Sequence, residues 1–155
     1  NGGIIMAVDS PNRDYRIVST TQTSVTMNAG SGWQSLQTTG SFTTTVIGPI
    51  IVHWQAMHGY EQGATNMSAK AIVKYSNNAQ AAVSDIYQVQ KQGLGSNYAF
   101  GSHNFFWIFY NMPAHAGYTV EMQGNNEGNA GTQHISNYFG PNINRGDKLI
   151  VSYQA

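Results

Sequence analysis

Five histidines and seven carboxylates are the residues of this chain that could carry acid–base or metal chemistry. The histidines are His53, His58, His103, His115 and His134. A zinc-binding helix places two histidines four residues apart so that both rings leave one face. His53 and His58 are five apart, on opposite faces of a strand, and no His-x-His pair occurs. His53 stands inside an apolar run and reads as a hydrogen-bonded core or interface residue. His115 follows Met112-Pro113-Ala114 and reads as a loop residue. The carboxylates Asp9, Asp14, Glu61, Asp85, Glu121, Glu127 and Asp147 are scattered singly. A glycosidase needs two of them roughly 5–10 Å apart across the scissile bond, and distant strands could supply them. Glu61 with Glu121 is one such pair, but nothing in their spacing selects it. The loop from Gly124 to Asn129 offers oxygen ligands but only one carboxylate, short of a calcium loop. No Gly-x-Ser-x-Gly elbow and no phosphate-cradling glycine loop occurs. With no cysteine, thiolate nucleophiles, thiolate metal sites and disulfides are excluded. The expectation is a protein that is not an enzyme and that carries no metal or cofactor.

The chemistry left is that of contact. Trp33, Tyr60, Tyr98, Phe100, Tyr138 and Phe139 sit beside Asn, Gln, Gly and Ser. An exposed ring next to amide side chains can stack on a sugar and hydrogen-bond its hydroxyls, or give rigid contact area to a protein partner. These six are the candidate binding residues, and the competing reading of each is a core aromatic.

The elements that must position them are strands. Tyr118, Val120 and Met122 alternate with Thr119, Glu121 and Gln123; Leu149, Val151 and Tyr153 alternate with Ile150, Ser152 and Gln154. Residues 69–75 and 42–47 alternate in the same way, and weaker candidates lie at Gly3–Val8, Tyr15–Ser19 and Gln22–Met27. Turn clusters separate them at residues 28–32, 76–78, 93–97 and 124–131. Eight to ten strands at such spacing predict an all-β antiparallel sandwich of the jelly-roll kind, one domain over residues 1–155. Residues 79–92 carry two readings. Ala79, Ala82, Val83, Ile86 and Gln90 fall at helical spacing between Asn78 and Gly93, while Tyr87 and Val89 alternate with Gln88 and Gln90 as a strand.

Composition narrows the partners. Only 9% of residues are charged and the net charge is zero, so the basic footprint of a nucleic-acid partner is missing. No apolar run approaches the ~18 residues of a membrane span.

Two runs are apolar on both faces. In Phe105-Phe106-Trp107-Ile108-Phe109-Tyr110, Phe105, Trp107 and Phe109 share one face and Phe106, Ile108 and Tyr110 the other. Ile50-Ile51-Val52-His53-Trp54 behaves likewise. Such strands must be covered twice, by a second sheet and by another body, which in an antiparallel domain of this size is often a second copy. His53, Trp54, Phe105, Trp107 and Phe109 are assigned to that subunit interface.

The segment Asn111-Met112-Pro113-Ala114-His115-Ala116-Gly117-Tyr118-Thr119-Val120-Glu121-Met122-Gln123 resembles the entry to a late strand in jelly-roll heads of the C1q and tumour-necrosis-factor type, especially those at the tips of phage and viral fibres. Arg145-Gly146-Asp147-Lys148-Leu149-Ile150-Val151 is similar to the strand entry common in that group, which is also the plain reading of its Arg-Gly-Asp triplet. The resemblance implies a trimer with an aromatic sheet facing the three-fold axis. It implies a non-enzymatic receptor-binding or structural head of a virion fibre or spike, at the virion surface, binding a cell-surface glycan or protein. The rival readings are a secreted monomeric β-sandwich lectin and, further off, a glycan hydrolase on the same scaffold.

Overall fold

The structure, a computed structural model, describes residues 15–21, 25–60, 66–90, 99–128, 131–135 and 148–155. Among these, twelve strands and no helix are found. They are β1 (Tyr15–Thr21), β2 (Val25–Asn28), β3 (Trp33–Thr38), β4 (Phe42–Thr44), β5 (Gly48–Tyr60), β6 (Asn66–Lys74), β7 (Gln80–Val83), β8 (Tyr87–Gln90), β9 (Ala99–Met112), β10 (His115–Asn126), β11 (Thr132–Ile135) and β12 (Lys148–Gln154).

All pairings are antiparallel and fall into two sheets. Sheet I runs β1-β12-β5-β9, and sheet II runs β3-β10-β6-β7, with β4 beside β10 and β8 beside β6. The chain crosses repeatedly between the two sheets and its first and last strands, β1 and β12, neighbour each other, which fits a jelly-roll winding. The sandwich expected from alternation is therefore present, and the strand order of its N-terminal half is now assigned. One edge of β5 pairs with β9 over nearly its whole length. The other pairs with β12 at Ile51–Gln55 and with β11 at His58–Tyr60. β11 and β2 form a short ribbon that continues sheet I past the end of β12.

The helical reading of residues 79–92 is corrected: Gln80–Val83 and Tyr87–Gln90 are strands. The reason is the free edge of β6, whose peptide groups need partners that a helix could not supply. β7 pairs with Ile72–Lys74 and β8 with Asn66–Ala69, while Ser84 in the gap exchanges bonds with both the N–H and the C=O of Ala71, at 2.8 and 2.9 Å. The turn at residues 28–32 forms as expected, with Gly30 and Gly32 at positive φ, and Asn78 takes φ 65° in the turn at 76–78. The turn expected from Gly124 begins later, because Gly124, Asn125 and Asn126 still belong to β10. Gly124 suits the packing there: a Cβ would lie 2.7 Å from Leu36 Cδ1 and 2.8 Å from Met27 Sδ, so one of these side chains would have to shift. Gly3–Val8, residues 22–24 of the Gln22–Met27 candidate, and the 93–97 turn lie outside the described residues.

The core fills the space between the sheets. Ile50, Val52 and Trp54 of β5, Leu149 and Val151 of β12, and Phe105, Trp107 and Phe109 of β9 meet Ala69, Ala71 and Val73 of β6 and Tyr118, Val120 and Met122 of β10. Trp54 stacks on Phe105 at 5.5 Å, Phe105 on Trp107 at 5.6 Å, and Trp107 on Tyr87 at 5.2 Å. The Trp54 indole N–H donates to Gln37 Oε1 (3.0 Å), and the Gln37 amide donates to the Thr20 carbonyl (2.7 Å). One buried amide thus ties sheet II to two strands of sheet I.

Candidate functional site

The strand alternation that builds this core leaves a second set of side chains on the outside of sheet I. Residues directly opposite in antiparallel strands share a face. The register therefore lines up Ile17, Ser152, Ile51 and Ile108 in one row and Ser19, Ile150, His53 and Phe106 in the next. Tyr15 with Gln154 lies at one end of this face, together with Tyr110 of β9. Phe106 is 51% exposed, Tyr110 72% and Ile17 68%. These rows contain no carboxylate, lysine or arginine; Lys148, opposite Gln55, enters only one row further on. His53 Nε2 lies 3.2 Å from Asn104 Oδ1, and its ring is 6.1 Å from that of Phe106.

β9 is the edge of sheet I, and beside it opens a groove of about 400 Å³ lined by Val83, Asp85, Tyr87, Phe106, Ile108 and Tyr110. Across it the Tyr87 hydroxyl donates to the Phe106 carbonyl (3.2 Å) and the Trp107 indole to the Asp85 carbonyl (3.1 Å). The sheet face thus runs into a groove whose lining mixes aromatic rings with the polar groups of Ser84 and Asp85.

The outer face of sheet II is built from the opposite material. Lys74 and Glu121 form an ion pair, and the Gln123 amide donates to Glu121 (2.7 Å). Ser68 and Gln88 both donate to Glu127. Burial would raise the Glu121 pKa, but hydrogen bonds from Lys74 and Gln123 and the charge of Lys74 outweigh it and hold the carboxyl below its usual value. Both carboxylates are thus engaged by donors, and no cluster of three or more His, Cys, Asp or Glu able to hold a metal is found among the described residues.

The expected site residues fall in three places. Trp33 is half-buried at the end of β3 with the Lys70 ammonium 4.1 Å from its ring centroid, so one ring face already carries a cation. Tyr60 and Phe100 belong to β5 and β9 by their backbones, with their side chains outside the description; Tyr98, Tyr138 and Phe139 lie outside the described residues. Of the interface set, His53 is on the outer face of sheet I. Trp54, Phe105, Trp107 and Phe109 are not: each is 7% exposed or less and packs inside the sandwich. The assignment of these four to a subunit interface is corrected, because the pairing of β5 with β9 puts them on the face that meets sheet II. The outward set is Phe106, Ile108, Tyr110, Ile51, Ile150 and Ile17. Its signal was in the sequence only as the other half of the alternation.

No protein-family model matches the sequence, and no curated protein matches it. Solved structures do. A structure of the infectious bursal disease virus Gt strain overlays with a TM-score of 0.59 at 8% identity, covering 94% of this chain and 34% of that one. The VP2 subviral particle of infectious bursal disease virus gives 0.59 at 10% identity with the same coverage. T=1 particles derived from the virus give 0.57 at 8%, covering 90% and 32%. The likeness is one of fold. This chain is a β-sandwich of the kind seen in those virus particles and spans about a third of the length of the chains it matches. It lends no support to the C1q and tumour-necrosis-factor heads in particular.

Proposed function

We propose that this chain is a non-enzymatic head domain of a virion fibre or spike, displayed at the virion surface, in which three copies pack through the outer face of sheet I and bind a host-cell glycan or protein. The observation that carries the reading is that face: its central rows are mostly apolar and hold no carboxylate, lysine or arginine, whereas the outer face of sheet II carries the Lys74–Glu121 ion pair and hydrogen-bonded amides. Monomers rarely leave such an apolar surface in water. The fold shared with virus-particle proteins supports the virion setting. The number three is what the resemblance of residues 111–123 to fibre heads implies. Three weak receptor sites held rigidly raise avidity through effective concentration, with no covalent step. Trp33 is the described candidate for a receptor contact.

The test is mass in solution by light scattering at micromolar concentration, together with a glycan array and analysis for released sugars. The expected result is three chain masses, glycan or cell binding, and no product. One chain mass with retained sugar binding would replace the reading with a monomeric secreted lectin. Reproducible hydrolysis would replace it with an enzyme on the same scaffold.

A further inference from the structure

Among the described residues, the end strands of sheet I, β1 and β9, each have a neighbour on one side only. In the antiparallel order β1-β12-β5-β9 an even number of strands makes these two run in opposite directions. Opposed residues in such a sheet alternate between pairs that exchange backbone hydrogen bonds and pairs that turn theirs away. The Tyr87 hydroxyl reaches the Phe106 carbonyl from the groove, so Phe106, and with it Ile108, turns its peptide groups away from β5. Counting back along the row Ile108, Ile51, Ser152, Ile17, the bonded pair is Ile51 with Ser152, and Ile17 also turns its peptide groups out of the sheet. Ser19 shares that phase.

The two edges therefore match. Each presents backbone donors and acceptors on residues whose side chains lie on the outer face, Ile17 and Ser19 on β1 and Ile108 and Phe106 on β9. Laying β1 of one copy against β9 of another continues the antiparallel sheet without turning any side chain over. The alternate side chains of β1 then meet the groove. Arg16 and Val18 stand opposite Tyr153 and Val151, on the side turned to sheet II. Asp85 lies on that side of β9, where its carbonyl takes the indole N–H of the inward Trp107. Arg16 is the one charged residue of β1, Asp85 is the one charged residue lining the groove, and both are exposed. Among the described residues Asp85 bonds only through its carbonyl, and no ion pair takes up Arg16.

We infer that the copies are joined edge to edge: β1 of each adds to the free edge of β9 of the next, with Arg16 seated in the groove against the neighbour's Asp85. The joint rests on the three-copy reading above and names the contact that closes it. A head-to-tail contact ends in a ring when its rotation closes. Sheet II covers one side of sheet I, so the ring has room to close only with the outer faces of sheet I turned to its axis. Edge strands that stay in water are guarded by charge or proline. Phe105–Tyr110 carries neither, and its apolar edge is what a neighbouring strand would cover.

The experiment uses the whole chain, which has no cysteine of its own. Arg16→Cys combined with Asp85→Cys, treated with a short bismaleimide, should give covalently linked dimers and trimers, and neither single variant should. Asp85→Cys linking to itself would show β9 meeting β9 and would overturn the joint. Arg16→Glu or Asp85→Arg should weaken association roughly tenfold or more in light scattering over a concentration series, since like charges then meet in every joint. The two reversals combined should restore it, and failure to recover would overturn the pairing. A wild-type trimer indifferent to both reversals and not linked through the cysteine pair would sink the edge joint and leave packing through the outer face standing. A wild-type monomer would sink both.

Discussion

The outer faces of the two sheets are made by the same alternation and yet contrast in chemistry. On sheet II, Lys74 and Gln123 engage the buried Glu121 carboxylate and Lys70 lies over the Trp33 ring. On sheet I, Ile17, Ile51, Ile150, Phe106, Ile108 and Tyr110 have no polar work to do and remain partly or largely exposed. A sheet face that needs no partner is polar; one that carries isoleucine and phenylalanine where threonine or glutamine would serve is shaped by something that covers it. The contrast therefore marks, without any motif, the face through which the proposed trimer would pack.

The sharpest way to test the contrast is along β9, where neighbours point in opposite directions. Trp107→Ala removes an inward ring packed against Phe105 and Tyr87, and the expected loss is about 3–5 kcal/mol by denaturant unfolding. A Trp107→Ala protein with wild-type stability would end the two-face account of this strand. Phe106→Asp changes only the outward set. It should leave the fold intact and convert three chain masses to one in light scattering, a loss of at least about 2 kcal/mol of association if Phe106 is a hot spot. Trp33→Ala, at the end of sheet II, should leave the mass unchanged. If Phe106→Asp stays trimeric while Trp33→Ala dissociates, the two faces have been assigned the wrong way round.

The smallest effect belongs to the polar face. Lys74→Met should cost about 1–2 kcal/mol, because Glu121 is only 6% exposed and loses its charged partner while keeping the Gln123 hydrogen bond. Glu121 has a folded pKa below its unfolded one, so its contribution is present above the usual carboxylate range and is lost as pH falls through it. That loss should shrink in Lys74→Met, which keeps only the Gln123 hydrogen bond, whereas Phe106→Asp should not alter it. An unchanged stability in Lys74→Met would show that the buried Glu121 carboxylate does not depend on the pair.

Much of this was legible from residue order. Phe105–Tyr110 announces a strand that is apolar on both sides, because a period of two assigns side chains to alternate faces whatever the surroundings. The clusters at residues 28–32 and 76–78 announce their turns through glycine and asparagine, which tolerate positive φ. Residues 80–90 were not legible, since local spacing allowed helix and strand alike and the free edge of β6 settled the choice from a distance. The buried polar groups where β11 meets β5 were equally hidden: His58, His103, Gln133 and Asn126 are up to 99 residues from their bonding partners.

Residue order by itself determined the all-β class, the faces that share side chains, and the shortage of charge that leaves contact as the main chemistry. Only the tertiary structure decided which face of β5 and β9 is the inside. Alternation fixes which residues travel together but carries no information about phase. Phase is set when sheet II closes over one side, burying Trp54 and Trp107 and leaving His53 and Phe106 outside.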